Sequence, residues 1–371
     1  MDTDSRKTFV EIDLKNLKSN FEFIKDKCGN KKIASVVKAN AYGHGLLQVS
    51  RFLEEVGTDY LCVAIADEGA YIRENGINIP ILVLGALNET GYKKAIDNKL
   101  DITIGSIYEL KTLLSLSGRY NYKTNIQLLI DTGMHRDGFC MLDEFKSALD
   151  LIKMSDLVNI KGIYTHFAQA DSDKLDFAHF QLEEFKKYLK FIDITDDLLI
   201  HCSASAGVMN SIDSNGFNMV RPGLLLYGYS PLKNSDIGLK KVMSLKAEII
   251  SKRVVKAGES IGYSRSYYAE NDICVATAAI GYGDGLPRAL SNKGKVIIND
   301  KLCSIIGNVC MDQIMVDVTG INDVNVGDTC TIIGNSATVS IDAGDIAKLT
   351  DTISYEILCS FNERVSRVYE H

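Results

Sequence analysis

The chain has 371 residues, 46% of them hydrophobic and 24% charged, with a formal net charge of −7 and a pI near 5.5. That length allows two domains, or one large barrel with an appendage, and the acidic balance argues against nucleic acid as the main partner. No apolar run reaches the ~18 residues of a membrane span, and nine scattered cysteines without Cys-x-x-Cys spacing fit reduced thiols rather than a zinc site or a disulfide frame.

Met1-Asp2-Thr3-Asp4-Ser5-Arg6-Lys7 lacks the apolar core of a signal peptide, which with the reduced cysteines points to the cytoplasm. Phe9–Ile12 is a first strand candidate. Short β-rich runs then recur at 33–37, 60–65, 79–84, 100–104, 126–130, 160–165, 198–202 and 219–227. Segments with helical spacing lie among them, marked by Leu14, Leu17, Phe21 and Ile24, by Phe145, Leu149 and Ile152, and by Phe177, Phe180, Phe185 and Leu189. Mostly apolar strands alternating with helices predict an α/β fold with a parallel sheet. Eight such units predict a (β/α)8 TIM-like barrel over residues 11–234. A doubly wound open sheet is the alternative, because periodicity does not report closure. Beyond about Asn234 helical spacing fades, and valine, isoleucine and threonine alternate at 246–255, 273–280, 295–298, 302–306, 314–318 and 329–333. Turns such as Asn292-Lys293-Gly294-Lys295 and Asn325-Val326-Gly327-Asp328 punctuate these runs. They predict a mainly antiparallel β domain over 235–371, with the N-terminal strand of residues 1–10 as a candidate addition.

Barrels of this kind place reactive groups where strands run out into the following loops. The first strand ends in Val36-Val37-Lys38-Ala39-Asn40-Ala41-Tyr42-Gly43-His44-Gly45. Desolvation at such a strand end favours the neutral amine that adds to a carbonyl, although an ammonium reaching water explains a lone lysine equally well. The fifth strand runs into a loop carrying Arg136, the sixth ends in Thr165-His166-Phe167, and the seventh ends in His201-Cys202-Ser203-Ala204-Ser205. Arg221-Pro222-Gly223 and Tyr227-Gly228 bracket the eighth. Each has an ordinary structural explanation; together they put a lysine, two arginines, a histidine and a serine on one rim. Ser205 and the Gly223–Leu224 backbone offer hydroxyl and N–H donors to a phosphate. A phosphate, a reactive lysine and buried arginines point to pyridoxal 5′-phosphate held as a Schiff base. His135, His179, His201 and His371 read as having no catalytic role, and Tyr267-Tyr268 as surface or interface. Gly281-x-Gly283-x-Gly285 lacks the third glycine and the helix of a dinucleotide loop.

The stretch from Val36 to Gly45 closely resembles the pyridoxal-phosphate lysine motif of bacterial alanine racemases. The resemblance continues through Asp131-Thr132-Gly133-Met134-His135-Arg136, Thr165-His166-Phe167-Ala168, Arg221-Pro222-Gly223 and Leu226-Tyr227-Gly228. It extends into Gly262-Tyr263-Ser264-Arg265, Ile280-Gly281-Tyr282-Gly283-Asp284-Gly285, Cys310-Met311-Asp312-Gln313, Tyr355-Glu356 and Arg364-Val365. It implies a barrel followed by a β domain, a homodimer with shared active sites, and interconversion of L- and D-alanine that supplies peptidoglycan synthesis. It also implies roles. Lys38 holds the cofactor and serves as one base, and Tyr263 of the partner subunit serves as the other. His166 tunes that tyrosine, helped by Arg265 or Arg136. Arg221 faces the pyridine nitrogen and, being always protonated, disfavours protonation of the ring. Arg136 and the Met311 backbone engage the substrate carboxylate. Tyr42, Ser205, Gly223, Leu224 and Tyr355 hold the phosphate, while Tyr282 and Arg288 line the entrance. Two bases on opposite faces are what racemisation requires.

Two positions depart from the family pattern. Leu129 stands where the family commonly has a carboxylated lysine, so Arg136 must be held by Asp137, Asp131 or a bound anion. Ala204 stands where an asparagine is usual. Both changes bear on the substrate pocket, so a serine or dual serine/alanine racemase, like the catalytic domains of vancomycin-resistance racemases, is the alternative. In that case the chain would be the cytoplasmic domain of a larger membrane protein. A non-catalytic pyridoxal-phosphate-binding protein on the same barrel is a reading from another class, and the β domain and Tyr263 argue against it.

Overall fold

In a computed structural model the chain is described at residues 6–120, 122–212, 217–232 and 237–371. The expected junction at 234/235 lies outside the described residues. The chain forms two compact units, one of Lys18–Ala41 and Leu46–Lys240, the other of the chain up to Leu17, Tyr42–Gly45 and Lys241–His371.

After β1 (Thr8–Asp13), which belongs to the second unit, come the strands β2 (Lys32–Val36), β3 (Tyr60–Val63), β4 (Ile81–Val83), β5 (Asp101–Ile104), β6 (Thr124–Leu129), β7 (Val158–Tyr164), β8 (Leu199–His201) and β9 (Met219–Val220). They form one parallel sheet in the order β8-β7-β6-β5-β4-β3-β2-β9. Hydrogen bonds from Asn218 N to Ile200 O (3.1 Å) and from Arg221 N to Ser203 O (2.8 Å), with a bridge between Ala204 and Arg221, join the two ends. The sheet therefore closes as a (β/α)8 barrel, which settles the question that periodicity leaves open. A helix follows each strand from β2 to β8. Leu142–Lys153 buries Phe145, Ala148, Leu149 and Ile152, the face its spacing predicts. Asp176–Leu189 differs: it buries Ala178, Leu182, Phe185 and Tyr188, while Phe177 and Phe180 stack on each other in solvent. Aromatic spacing there overstates the buried stripe. The eighth strand also differs from expectation, ending at Val220 rather than Tyr227. Pro222 cannot donate to a ladder, and residues 223–228 fold into tight turns, with Leu226 N donating to Gly223 O at 2.9 Å and Tyr227 N to Leu224 O at 3.1 Å.

The second unit contains β10 (Met243–Val255), β11 (Ser260–Ile261), β12 (Tyr267–Tyr268), β13 (Ile273–Ala278), β14 (Lys295–Ile298), β15 (Lys301–Ile306), β16 (Ile314–Asp317), β17 (Thr329–Asn335), β18 (Ser340–Ile341) and β19 (Ser366–Glu370). Strands β10, β13, β16, β15, β14 and β17 pair antiparallel in a circuit that returns to β10. β1 pairs antiparallel with β10 and parallel with β19. Two helices, Ala343–Thr350 and Ser354–Ser360, follow the last of the β runs that the sequence marks. Among the described residues no helix is long and apolar enough to cross a membrane.

One ion pair ties the N-terminal segment into this unit. Arg6 grips Asp284 with both arms, at 2.6 and 2.7 Å, and also donates to Asp312 O at 3.0 Å. Asp284 is fully buried, and its Oδ2 also accepts from Gly281 N at 2.9 Å. Removing one member of a buried, bidentate pair leaves the other charge poorly compensated, here with the partly exposed Arg364 Nε 3.4 Å from Asp284 Oδ1. Arg6→Ala is therefore expected to lower the stability of the β unit by about 3 kcal/mol, and Arg6→Lys by less. Urea unfolding followed by a probe in that unit checks both.

Candidate active site

Val37 N donates to Cys62 O at 2.9 Å, extending the pairing of β2 by one residue, and Lys38 follows at the C-terminal mouth of the barrel, half-buried. The next four residues, Ala39 to Tyr42, have φ values of 54, 55, 53 and 54°. A left-handed turn of non-glycine residues costs about 1–2 kcal/mol per residue. Side chains hold it in place. Glu68 accepts from Ala39 N at 2.6 Å and from Ala64 N at 2.9 Å, and Asn40 Oδ1 accepts from Leu46 N at 2.8 Å. The turn fixes where the lysine stem leaves the wall.

At the end of β9, the strand paired with β2, Arg221 is 3% exposed. Its Nη2 donates to Thr165 O at 2.9 Å, to Cys202 O at 3.2 Å and to His166 Nδ1 at 3.3 Å, and its Nη1 bonds His201 Nδ1. A guanidinium only donates, so His166 Nδ1 is an acceptor and its Nε2 carries the proton. Burial, then the charges of Arg221, Arg136 and Lys38, pull the His166 pKa down to about 3. Arg221 is the cation in direct contact with this neutral imidazole. Tyr164 completes the floor: its ring stacks on His201 with centroids 4.7 Å apart and lies 4.8 Å from the Arg221 guanidinium carbon. His201, set aside in the sequence reading, is a fully buried partner of Arg221, and burial together with that charge holds its pKa well below the ordinary value.

The Arg136 loop answers the question raised by Leu129. Asp131 Oδ1 is committed to the backbone N–H groups of Gly133, Met134 and His135 at 2.9, 3.0 and 3.1 Å. Asp137 is the carboxylate beside Arg136, at 3.7 Å. Leu129 is buried and packs beneath Gly138, filling the floor with methyl groups instead of a charge. At the barrel closure, Ser205 Oγ accepts from Gly223 N at 3.0 Å and Leu225 N at 3.3 Å, so a hydroxyl and backbone amides meet at one point.

The remaining candidates lie in the second unit. Tyr263 is 70% exposed and shares with Met311, Cys310 and Gln313 the lining of a cavity of about 530 Å³. Asn308 Nδ2 donates to its carbonyl at 2.8 Å. Tyr282 N donates to Cys310 O at 3.0 Å and Gly283 N to Met311 O at 2.8 Å, which binds the Tyr282 turn to the Met311 strand end. A Cβ on Gly281 would fall 2.3 Å from Cys310 O, so this contact needs glycine. Tyr42 and Tyr355 face each other with ring centroids 5.9 Å apart. Arg265 is committed to Ser260 Oγ at 2.9 Å and to the Tyr268 ring. Arg288, His135, His179 and His371 are exposed, and among the described residues no group of metal-ligating side chains occurs.

Residues 12–231 match the model of the alanine racemase N-terminal domain, and residues 242–369 that of the C-terminal domain. The chain belongs to the alanine racemase family. It is 40% identical to an alanine racemase of Halothermothrix orenii over 99% of this chain and 98% of that protein, and 37% identical to one of Clostridium novyi over 98% and 95%. A solved alanine racemase of Clostridium difficile 630 superposes with a TM-score of 0.92 at 34% identity, covering 98% of this chain and 95% of that one.

The neutral His166 has a thermodynamic signature. Folded, it stays unprotonated down to about pH 3; unfolded, it takes its proton near 6.5. Below 6.5 the unfolded state binds more protons at this position, so stability falls as pH falls, and His201 adds in the same direction. Urea midpoints measured between pH 6.5 and about 5 should show a slope that His166→Asn reduces by close to one proton. An unchanged slope would mean that His166 is charged in the folded protein.

Proposed function

We propose that this chain interconverts L- and D-alanine with pyridoxal 5′-phosphate, as a cytoplasmic homodimer whose subunits share each active site. The observation that carries this reading is the buried Arg221 bonded to both His166 and His201 at the barrel mouth where Lys38 leaves its strand, in a chain matching alanine racemases over nearly its whole length. The residues fit the cofactor: an amine at the mouth, a hydroxyl grouped with backbone amides at Ser205 for a phosphate, and a fixed guanidinium. When bound, the cofactor supplies an electron sink for the α-carbon of an amino acid joined to it.

The chain's own residues do the rest. Lys38 anchors the cofactor and, once free, moves the α-proton at Nζ on one face. Tyr263 of the partner subunit moves it at Oη on the other, so the product's hand follows from which base takes and which returns the proton. His166 donates its Nε2–H towards that phenol oxygen. Arg221 never yields its proton, so it opposes protonation of the ring nitrogen and limits side reactions. Arg136 and the Met311 backbone bind the substrate carboxylate, Tyr42, Ser205, Gly223, Leu224 and Tyr355 hold the phosphate, and Tyr282 guards the entrance. The names of the relatives favour alanine over the serine alternative that Ala204 and Leu129 raise.

Borohydride reduction should fix the cofactor to Lys38, and alanine turnover should exceed serine turnover by at least ~10-fold, the scale set by a single side-chain contact. Equal or greater turnover of serine would reverse the substrate assignment. Tyr263→Phe should slow alanine racemisation by ~10²–10⁴-fold. Sharing has its own signature. Lys38→Ala and Tyr263→Phe chains are each inactive alone, yet co-assembled in equal amounts they should recover about a quarter of wild-type activity, since half the dimers are mixed and each has one intact site. No recovery in verified mixed dimers would place both bases on one chain.

A further inference from the structure

We propose that Asp101, at the end of the barrel away from Lys38, is a positioning residue for Arg221, acting through a polar relay of Gln127 and His201 inside the barrel. The links are all buried. Asp101 opens β5 and lines, with Tyr60, Asn125 and Lys161, a cavity of about 520 Å³ at the N-terminal mouth. Its Oδ2 accepts from Tyr60 Oη at 3.2 Å and from Gln127 Nε2 at 3.3 Å. Gln127 Oε1 lies 2.8 Å from His201 Nε2, and His201 Nδ1 is bonded to Arg221 Nη1.

The chemistry of the two ends fixes the direction of every bond. A carboxylate only accepts, so Gln127 must turn its Nε2 to Asp101 and its Oε1 to His201. An amide oxygen only accepts, so His201 Nε2 must carry a proton. A guanidinium only donates, so His201 Nδ1 must be bare. One tautomer of His201 satisfies both neighbours, and Asp101 and Arg221 favour it from the two ends of the relay. Burial raises the Asp101 pKa, while donors from Gln127, Asn125 and Tyr60 and the charge of Lys161 favour its ionised form. The backbone makes room for the relay. Lys161 is the extra residue of a bulge where β6 pairs with β7, which brings Gly162 opposite Gln127. A Cβ on Gly162 would lie 3.0 Å from Gln127 Oε1 and 2.8 Å from Leu199 O.

Reversing Gln127 would present its NH₂ to His201 Nε2 and push the proton to Nδ1, where it meets the Arg221 donor head-on. Arg221 would then have to give up its position over Tyr164. What this does to turnover rests on the racemase reading; the polarity of the relay does not.

The test uses ¹⁵N-histidine-labelled, cofactor-loaded full-length protein and solid-state NMR of His201 alongside alanine kinetics. Wild type should show His201 as the neutral Nε2–H tautomer. Asp101→Asn, and Gln127→Met one link higher, should shift its resonances toward a mixture of tautomers and lower kcat by roughly 10–100-fold with KM changed less than about twofold, the scale of losing an outer hydrogen-bond partner. Tyr60→Phe, which removes a neighbouring hydrogen bond to Asp101 but leaves the relay intact, should leave tautomer and kcat unchanged. A single Nε2–H tautomer retained in Asp101→Asn and Gln127→Met overturns the proposal, as does an equal shift in Tyr60→Phe. If Asp101→Asn does not fold, Gln127→Met decides. Wild type that fails to racemise alanine would refute the functional reading while the NMR comparison still decides the relay.

Discussion

A permanent positive charge, buried among uncharged groups, is the constraint from which the barrel interior follows. Arg221 keeps its proton at any ordinary pH and can only donate. A group bonded to it must therefore present a lone pair, as two carbonyls and two imidazole Nδ1 atoms do. Both imidazoles are thereby neutral, and both must carry their proton on Nε2. From that assignment the outward face of His166 becomes a donor, and the inward face of His201 requires an acceptor, which Gln127 supplies. Even Tyr164 fits the scheme, offering its ring face to the guanidinium while its hydroxyl bonds Thr103. Thr103 donates in turn to Val83 O at 2.7 Å. One residue's fixed charge propagates into the tautomers of its neighbours and the amide orientation beyond them.

The architecture was legible where the pattern is a period. Eight apolar runs separated by helical spacing imply eight strands, and the alternating valines and isoleucines after the barrel imply antiparallel ladders. What escaped has identifiable causes. The run from Met219 to Tyr227 is buried throughout, but proline and tight turns bury apolar side chains as well as a strand does, and periodicity sees only burial. The helix Ala343–Thr350 is announced by a capping box, in which Asp342 and Asp345 accept each other's backbone N–H at 3.0 and 3.1 Å. That signal is local and easily lost in a β-rich stretch. The left-handed turn after Lys38 has no sequence period at all, and apart from Asn40 its residues are not ones that favour a positive φ.

The site was legible in proportion to how close its residues lie to strand ends. Lys38, His166 and Arg221 sit where strands run out and Arg136 in the loop after one, and Arg221 is bonded to His166. His201 occupies the same kind of position, yet a lone histidine in an apolar segment reads as packing. Asp101 and Gln127 were missed for a different reason, being far from the rim. Their signal lies in composition: Asp101-Ile102-Thr103-Ile104 and Ile126-Gln127-Leu128-Leu129 place polar side chains in strands otherwise fit for a core. Burying an aspartate or an amide is costly unless it is bonded, so a polar residue inside a barrel strand implies a network. Tyr263 gave no such clue. An exposed tyrosine at a β turn is ordinary, and only family likeness raised it.

Leu129 changes the balance of forces on Arg136 rather than removing its anchor. A buried anion beneath the arginine would hold it before substrate arrives. Here the floor is apolar, and the nearby carboxylate, Asp137, is 3.7 Å away with the side chains 58% and 45% exposed. An ion pair so open to water contributes only ~0–1 kcal/mol. Arg136 is therefore weakly ordered by the protein, and an incoming carboxylate must supply much of its ordering, which subtracts the lost side-chain entropy from the binding free energy. Arg221 is the contrast. It is buried, and bonds to two carbonyls and two imidazoles hold its place before any ligand arrives. The two arginines thus differ by their surroundings, one held in place in advance, the other left adaptable.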